Sequence, residues 1–293
     1  MEANFSQKSM SRFIVKTIGY TILGVLSCFT WLCMALTVFV PKTAAQYYDY
    51  LGLNQAEVFC YETEYARTQK IEDLYNVILV NLSAGNEQKA LDYIQEIQQK
   101  TDYAKFSKTL DASAFAVTSI DKIAYTASVQ SYFAKKQIQL TYKIGSKEQA
   151  KSLAINFLTN VQMEPYFYAT TAYIDCVYQD SSLTLKQVYA QLAAFADTVT
   201  MESCVYDIML AQAEEAYIKA DSFIGQTEEM VQKQRAVYLY KSLEIYQSSY
   251  MLAYAQYEVA TEDMQAYWQE QKQILAQSIQ TMQSAYTMCI QGK

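Results

Sequence analysis

The chain contains no histidine, so its chemistry must come from carboxylates, cysteines, serines and an excess of tyrosine. The missing residue removes His-dependent triads, His-ligated zinc and the commonest acid–base catalyst. Carboxylates cluster at Glu57, Glu62 and Glu64, and pair at Glu214-Glu215 and Glu228-Glu229. Paired acids can hydrolyse glycosides or bind Ca²⁺. Here Glu228-Glu229 fall at a predicted helix start, where acids meet the positive end of the macrodipole. The others alternate with Lys and Gln as a solvated face, and no EF-hand loop occurs. Serine has no GxSxG elbow, and the glycine-poor chain has no P-loop or GxGxxG. Ser181-Ser-Leu-Thr-Leu-Lys186 lacks the SxxK spacing. These patterns predict a protein that is not an enzyme and that needs no cofactor and no metal.

Cys28 and Cys33 lie in an apolar run, while Cys60, Cys176, Cys204 and Cys289 lie beyond it. No CxxC is present. Buried free thiols are the default expectation. If a disulfide forms, Cys60 with Cys289, near the two ends of the outer domain, is the favoured pair. Tyrosine is the compositional anomaly: 27 residues, all but Tyr20 beyond the apolar run. A phenol combines a large apolar face with a hydroxyl that can stay wet, which suits a binding groove; half-buried packing between helices is the favoured reading. The candidate interaction face comprises Tyr166, Phe167, Tyr168 and Tyr173, which follow Pro165. Tyr238, Tyr240, Tyr246, Tyr250, Tyr254 and Tyr257 complete it. Tyr47, Tyr48 and Tyr50 follow the apolar run directly and read as an aromatic belt at a membrane–water interface.

The elements that must position these residues begin with residues 18–40, an uncharged apolar run. A helix of about 20 such residues crosses a hydrocarbon layer. Lys8, Arg12 and Lys16 precede the run against one acid, Glu2. By the positive-inside rule residues 1–17 form a short cytoplasmic tail, and the C-terminal domain is extracytoplasmic. Thr43-Ala44-Ala45 would suit signal cleavage, but a signal peptide's apolar region runs about 7–15 residues, so an uncleaved anchor is expected. Residues 41–53 form an aromatic juxtamembrane segment. Without residues 1–41 the net charge is −9, a poor match for nucleic acid.

Seven glycines and two prolines in 293 residues are too few for a many-stranded fold. Gly52, Gly85, Gly145 and Gly225 each end an apolar helical pattern. The parse places helices near 54–84, 86–100, 102–112, 114–144, 146–161, 165–179, 183–197, 200–224, 226–259 and 261–290. In the first of the last two, Leu239, Leu243, Tyr246, Tyr250, Ala253 and Tyr257 repeat at four and three, and in the second Met264, Trp268, Gln271, Leu275, Met282 and Cys289 do nearly the same. That predicts a long terminal hairpin over 226–290.

Gly85-Asn-Glu-Gln-Lys-Ala90-Leu91-Asp-Tyr-Ile94 resembles the start of the second helix of a tetratricopeptide (TPR) repeat, and Gly145-Ser-Lys-Glu-Gln-Ala150 repeats the Gly-to-Ala offset. The resemblance covers these two stretches and implies paired helices stacked in an array. The family period is 34 residues, whereas these glycines are 60 apart, and its Trp/Leu-Gly-Tyr signature is absent. The expected fold is therefore all-α: one N-terminal transmembrane helix followed by an antiparallel, α-solenoid-like helical array or helix-hairpin bundle over 54–293, subdivided near residue 225. The expected function is a single-pass, membrane-anchored, non-enzymatic interaction, scaffold or assembly subunit. Its expected partner is a protein or a second copy of itself, and not nucleic acid. The alternative is an extracytoplasmic sensory module that binds a small molecule or peptide between aromatic side chains.

Overall fold

A computed structural model describes residues 3–117, 129–159 and 166–291, with side chains described over 13–110, 129–159 and 170–291. Every regular element among the described residues is an α-helix, and there are thirteen. They fall into two compact units, residues 1–93 and 94–293.

In the first unit, α1 (Ala3–Phe39) is continuous, and Phe13–Phe39 is long and apolar enough to cross a membrane. Its threonine hydroxyls are satisfied within the helix: Thr17, Thr21, Thr30 and Thr37 each donate to the carbonyl four residues back. Such back-bonding lets a hydroxyl sit in lipid without an open donor. Pro41 stops α1 because it has no N–H, and starts α2 (Pro41–Tyr50) as its first residue. Gly52, at φ 67°, ends α2 in a Schellman turn, with Gly52 N–H on Asp49 O and Leu53 N–H on Tyr48 O.

The expected helix 54–84 is two helices, α3 (Asn54–Thr68) and α4 (Ile71–Ser83). The break lies at Gln69, whose left-handed φ of 52° carries no glycine signal. Its amide donates to Tyr65 O, which makes the turn locally self-sufficient. A helix α5 (Glu87–Gln99) follows, and the division between the units falls within it.

The second unit contains α6 (Tyr103–Val117), α7 (Val129–Ile144), α8 (Lys147–Thr159), α9 (Tyr166–Tyr178), α10 (Leu185–Ala196), α11 (Val205–Asp221), α12 (Glu229–Val259) and α13 (Glu262–Ile290). Residues 118–128, part of the expected helix 114–144, lie outside the described residues. Helices α7, α8 and α9 pack on one another, and α12 packs on α9, α10, α11 and α13. A helix covered on several sides cannot keep one polar face. Accordingly α12 buries Leu239, Leu243, Ile245, Leu252, Ala253 and Ala255 around its circumference. The hairpin expected over 226–290 is formed by α12 and α13. Leu275, Met282 and Cys289, seven residues apart, are the buried side chains of α13.

The expected start of a helix at Thr200 moves to Val205. Residues 198–204 instead make a tight loop in which Val205 N–H reaches Thr198 O and Thr200 N–H reaches Ser203 O. Val199 takes φ 143°, a costly value for a β-branched residue. Propensity alone does not foresee it.

Candidate functional site

Two surfaces stand out, one in each unit. The first surrounds the C-terminal end of α1. Leu36, Tyr48 and Tyr61 pack against a small core of Ala44, Ala45 and Cys60. The Tyr48 hydroxyl lies 3.2 Å from Thr37 Oγ1 and 3.5 Å from Cys33 O, and Cys60 Sγ lies 3.9 Å from Thr37 Oγ1. Arg67 donates to Val38 O at 3.4 Å, satisfying one carbonyl at the helix end. Beside this core, Lys42 Nζ sits 2.7 Å from Asp73 Oδ1, with the Asp73 side chain only 2% exposed. Thr68 donates to the other Asp73 oxygen. Burial alone would push the Asp73 carboxyl up; the Lys42 ammonium and the Thr68 hydroxyl more than offset it and hold it below the usual carboxylate range. The same hydrogen bond raises Lys42.

Of the expected interfacial belt, Tyr47 and Tyr50 are exposed, while Tyr48 is half-buried against α1. Cys60 and Cys289, the favoured disulfide pair, are both free thiols and belong to different units. Cys60 faces Thr37, and Cys289 lies 3.6 Å from Gln232 O. Burial raises both thiols, which keeps them in the unreactive protonated form.

The expected tyrosine face is divided among several helix seams. The side chains of Tyr166, Phe167 and Tyr168 lie outside the described residues. Tyr173 is buried, with its ring centroid 4.6 Å from Phe195 and 6.1 Å from Tyr142. Tyr246 and Tyr250 pack against the main core. Tyr238 stacks on Phe223, and Tyr240 meets Tyr286 while donating to Glu244 at 3.0 Å. Tyr254 meets Tyr189 and Tyr250. Lys272 of α13 lies over the rings of Tyr254 and Tyr257 of α12 at 4.5 and 3.8 Å, a cation–π tie across the hairpin. Phenols thus act as half-buried spacers between helices.

Two acidic positions are structural. Asp180, in the α9–α10 turn, accepts from Tyr142 at 2.9 Å and from the Ser182 N–H and hydroxyl at 2.9 and 2.6 Å, and it pairs with Lys147. The Lys147 and Ser182 hydrogen bonds hold its carboxyl far below the ordinary range. Glu244 of α12 is pushed up by burial, and one of its oxygens has no partner. Among the described residues no group of three or more Cys, Asp or Glu is placed to hold a metal ion.

The second surface lies on α13. No charged residue occurs between Lys272 and Lys293, which covers the last five turns of α13. Roughly 80–160° around the helix from the buried Leu275–Met282–Cys289 seam, α13 exposes Ile274 (48%), Gln277, Thr281, Ser284 and Met288 (52%). The hydroxyls of Ser278, Thr281, Ser284 and Thr287 each donate to the carbonyl four residues back. A solvated helix face ordinarily carries Glu, Lys or Arg. This face carries none, and its hydroxyl donors are already satisfied, so covering it strands no charge and no hydroxyl donor, and leaves its glutamine amides to be paired. Its sequence signal is the charge-free run itself, which the heptad of the inner seam does not reveal.

Against known proteins, no family model, no curated protein and no solved structure matches this chain.

Proposed function

We propose that the chain is a single-pass, membrane-anchored helical interaction subunit that assembles with a second copy of itself through α13. The observation that carries this is the charge-free outer face of α13. Two domains of net charge −9 repel one another over most approaches, and a neutral face lets them meet without placing acid on acid. The face is also self-complementary. Ile274 and Met288 lie seven residues either side of Thr281. An antiparallel, two-fold pairing centred on Thr281 sets each Ile274 against the other copy's Met288. Seven residues of helix span about 10 Å on each side of the axis.

The anchor is proposed to remain uncleaved, with the N-terminus cytoplasmic and the helical domain outside. Leu36 belongs to the same small core as Ala44 and Ala45, so cleavage after Ala45 would remove part of the folded first unit. The positive-inside asymmetry of Lys8, Arg12 and Lys16 sets the orientation.

Cysteine cross-linking of the full-length protein in bilayers tests the assembly. Thr281→Cys should cross-link to itself, and Ile274→Cys should cross-link to Met288→Cys when the two variants are mixed. Ile274→Glu with Met288→Glu should weaken association at least about tenfold, or about 1.4 kcal/mol. A protein that sediments as a monomer, or a Thr281→Cys variant that cross-links to nothing, would overturn the proposal.

A further inference from the structure

The first unit carries a second apolar surface, next to α1 and separate from it in sequence. Tyr48, seven residues into α2 from Pro41, is level with Thr37 and Cys33. Helix α2 therefore runs back along α1 toward the membrane. Helix α3 returns the other way, with Cys60 at Thr37 and Arg67 at Val38. The α2–α3 turn lies beyond both Tyr48 and Cys60, roughly 5–10 Å further down α1 at 1.5 Å per residue.

That depth matters because α1 is long. Its apolar stretch Phe13–Phe39 has 27 residues, or about 40 Å, against a hydrocarbon core of about 30 Å. Counted from Phe13, the outer hydrocarbon boundary falls near Cys33; counted from Ile18, it falls near Val38. On either count the α2–α3 turn reaches the boundary or passes it. Trp31 is exposed on α1 at this height, as an interfacial aromatic would be.

The turn is dressed for that position. Tyr50 is 87% exposed and Phe59 58%, and Tyr47, Leu51 and Leu53 are exposed beside them. In water this would be an unexplained apolar patch; here it continues the lipid-facing surface of α1. The segment between Lys42 and Arg67 contains acids but no base. Burial pushes the Glu57 carboxyl up and nearby Asp49 adds to the shift, which eases Glu57 at the headgroup level.

We propose that the α2–α3 turn is an interfacial wedge, with Tyr47, Tyr50, Leu51, Leu53 and Phe59 inserted among the headgroups and upper acyl chains of a zwitterionic bilayer leaflet. The proposal rests on α1 spanning the membrane. Anchor and wedge together clamp the first unit at a set height and rotation, because one helix alone leaves a domain free to swivel. A wedge of this kind reaches about 5–10 Å below the surface, and the acids of the segment set its preference for neutral over anionic lipid.

Tryptophan depth measurements on the full-length chain in phosphatidylcholine bilayers test it. In a Trp268→Phe background, Trp31 reports the anchor alone. With Trp31→Phe added, Leu53→Trp and Phe59→Trp report the wedge, and having two sites guards against one that fails to fold. Lipids brominated near the top of the acyl chain should quench both new tryptophans about twofold or more, deep bromines should quench less, and acrylamide should reach neither freely. Quenching of Trp31 without quenching at 53 or 59 would overturn the wedge and leave the anchor standing. Shielding from acrylamide without bromine quenching would mean that protein covers the patch, which also overturns it. No quenching of Trp31 would overturn both wedge and anchor.

Discussion

Helices α1 and α13 both expose long uncharged faces, and both tie their hydroxyls to the carbonyl four residues back. They differ in what fills the rest of the face. On α1 the exposed side chains are almost wholly hydrocarbon and aromatic, and no buried seam runs along most of its length. On α13 a buried seam of Leu275, Met282 and Cys289 backs an outer face of glutamine, serine, threonine and two large apolar residues. Satisfying the donors makes a helix face cheap to remove from water; composition then selects the solvent that receives it. A hydrocarbon face suits lipid, where an amide would be left without a partner. A glutamine-rich face suits another protein, which can return hydrogen bonds.

Changes along this comparison should separate core from surface. The largest effect is expected at Met282, whose replacement by alanine leaves a cavity between α12 and α13 and should cost about 2–4 kcal/mol in thermal or denaturant unfolding. One residue away on the helix, Thr281→Ala should leave stability within about 0.5 kcal/mol. Equal costs at both positions would mean that α13 is buried on two sides within a single chain.

At the α1 junction, Lys42→Ala strands the nearly buried Asp73 carboxylate with Thr68 as its remaining partner, and should cost about 2–3 kcal/mol at pH 7. The pH dependence follows from the directions of the two shifts. Asp73 is lowered, so its contribution is present above the unfolded-chain value of about 3.9 and is lost as pH falls through the lower folded value. Lys42 is raised, so its contribution is full below about 10.4 and is lost as pH rises through the higher folded value. Between about pH 4 and 10 the penalty of the variant should be flat. A penalty that grows or fades inside that window would remove the pair as its source.

In the second unit, Asp180→Ala takes away the common acceptor of Tyr142, Lys147 and Ser182, and about 1–3 kcal/mol is expected. The smallest effect has the opposite sign. Glu244 is raised, so the folded chain favours its protonated form and loses relative stability as pH rises through the folded value. Glu244→Gln keeps an acceptor for Tyr240 and should stabilise by about 1 kcal/mol at pH 7, with the gain vanishing near pH 4. A gain that persists at pH 4 would assign it to packing.

Helices α5, α8, α9, α10, α12 and α13 lie within three residues of where caps and apolar spacing placed them. Three of the four parsing glycines have the positive φ that their position after a helix implied. The exceptions share a cause. Gln69 is left-handed because its amide bonds to Tyr65 O, and Val199 is forced by the 198–204 loop. Neither residue type announces such a conformation. The tyrosines show the same limit: their number was plain, but whether a phenol lines a groove or spaces two helices depends on which helix lies opposite.

The chain's linear order settled what local physics controls: an uncharged run long enough to span a bilayer, helices by period, ends by glycine and proline, and a charge-free stretch after Lys272 in the last helix. Each depends on residues within a few turns of one another. Tertiary structure alone decided that α2 folds back along α1, that Asp73 meets Lys42 across 31 positions, and that α12 is covered by four helices. These depend on which surfaces gain most by leaving water together, a comparison among distant segments that no local pattern encodes.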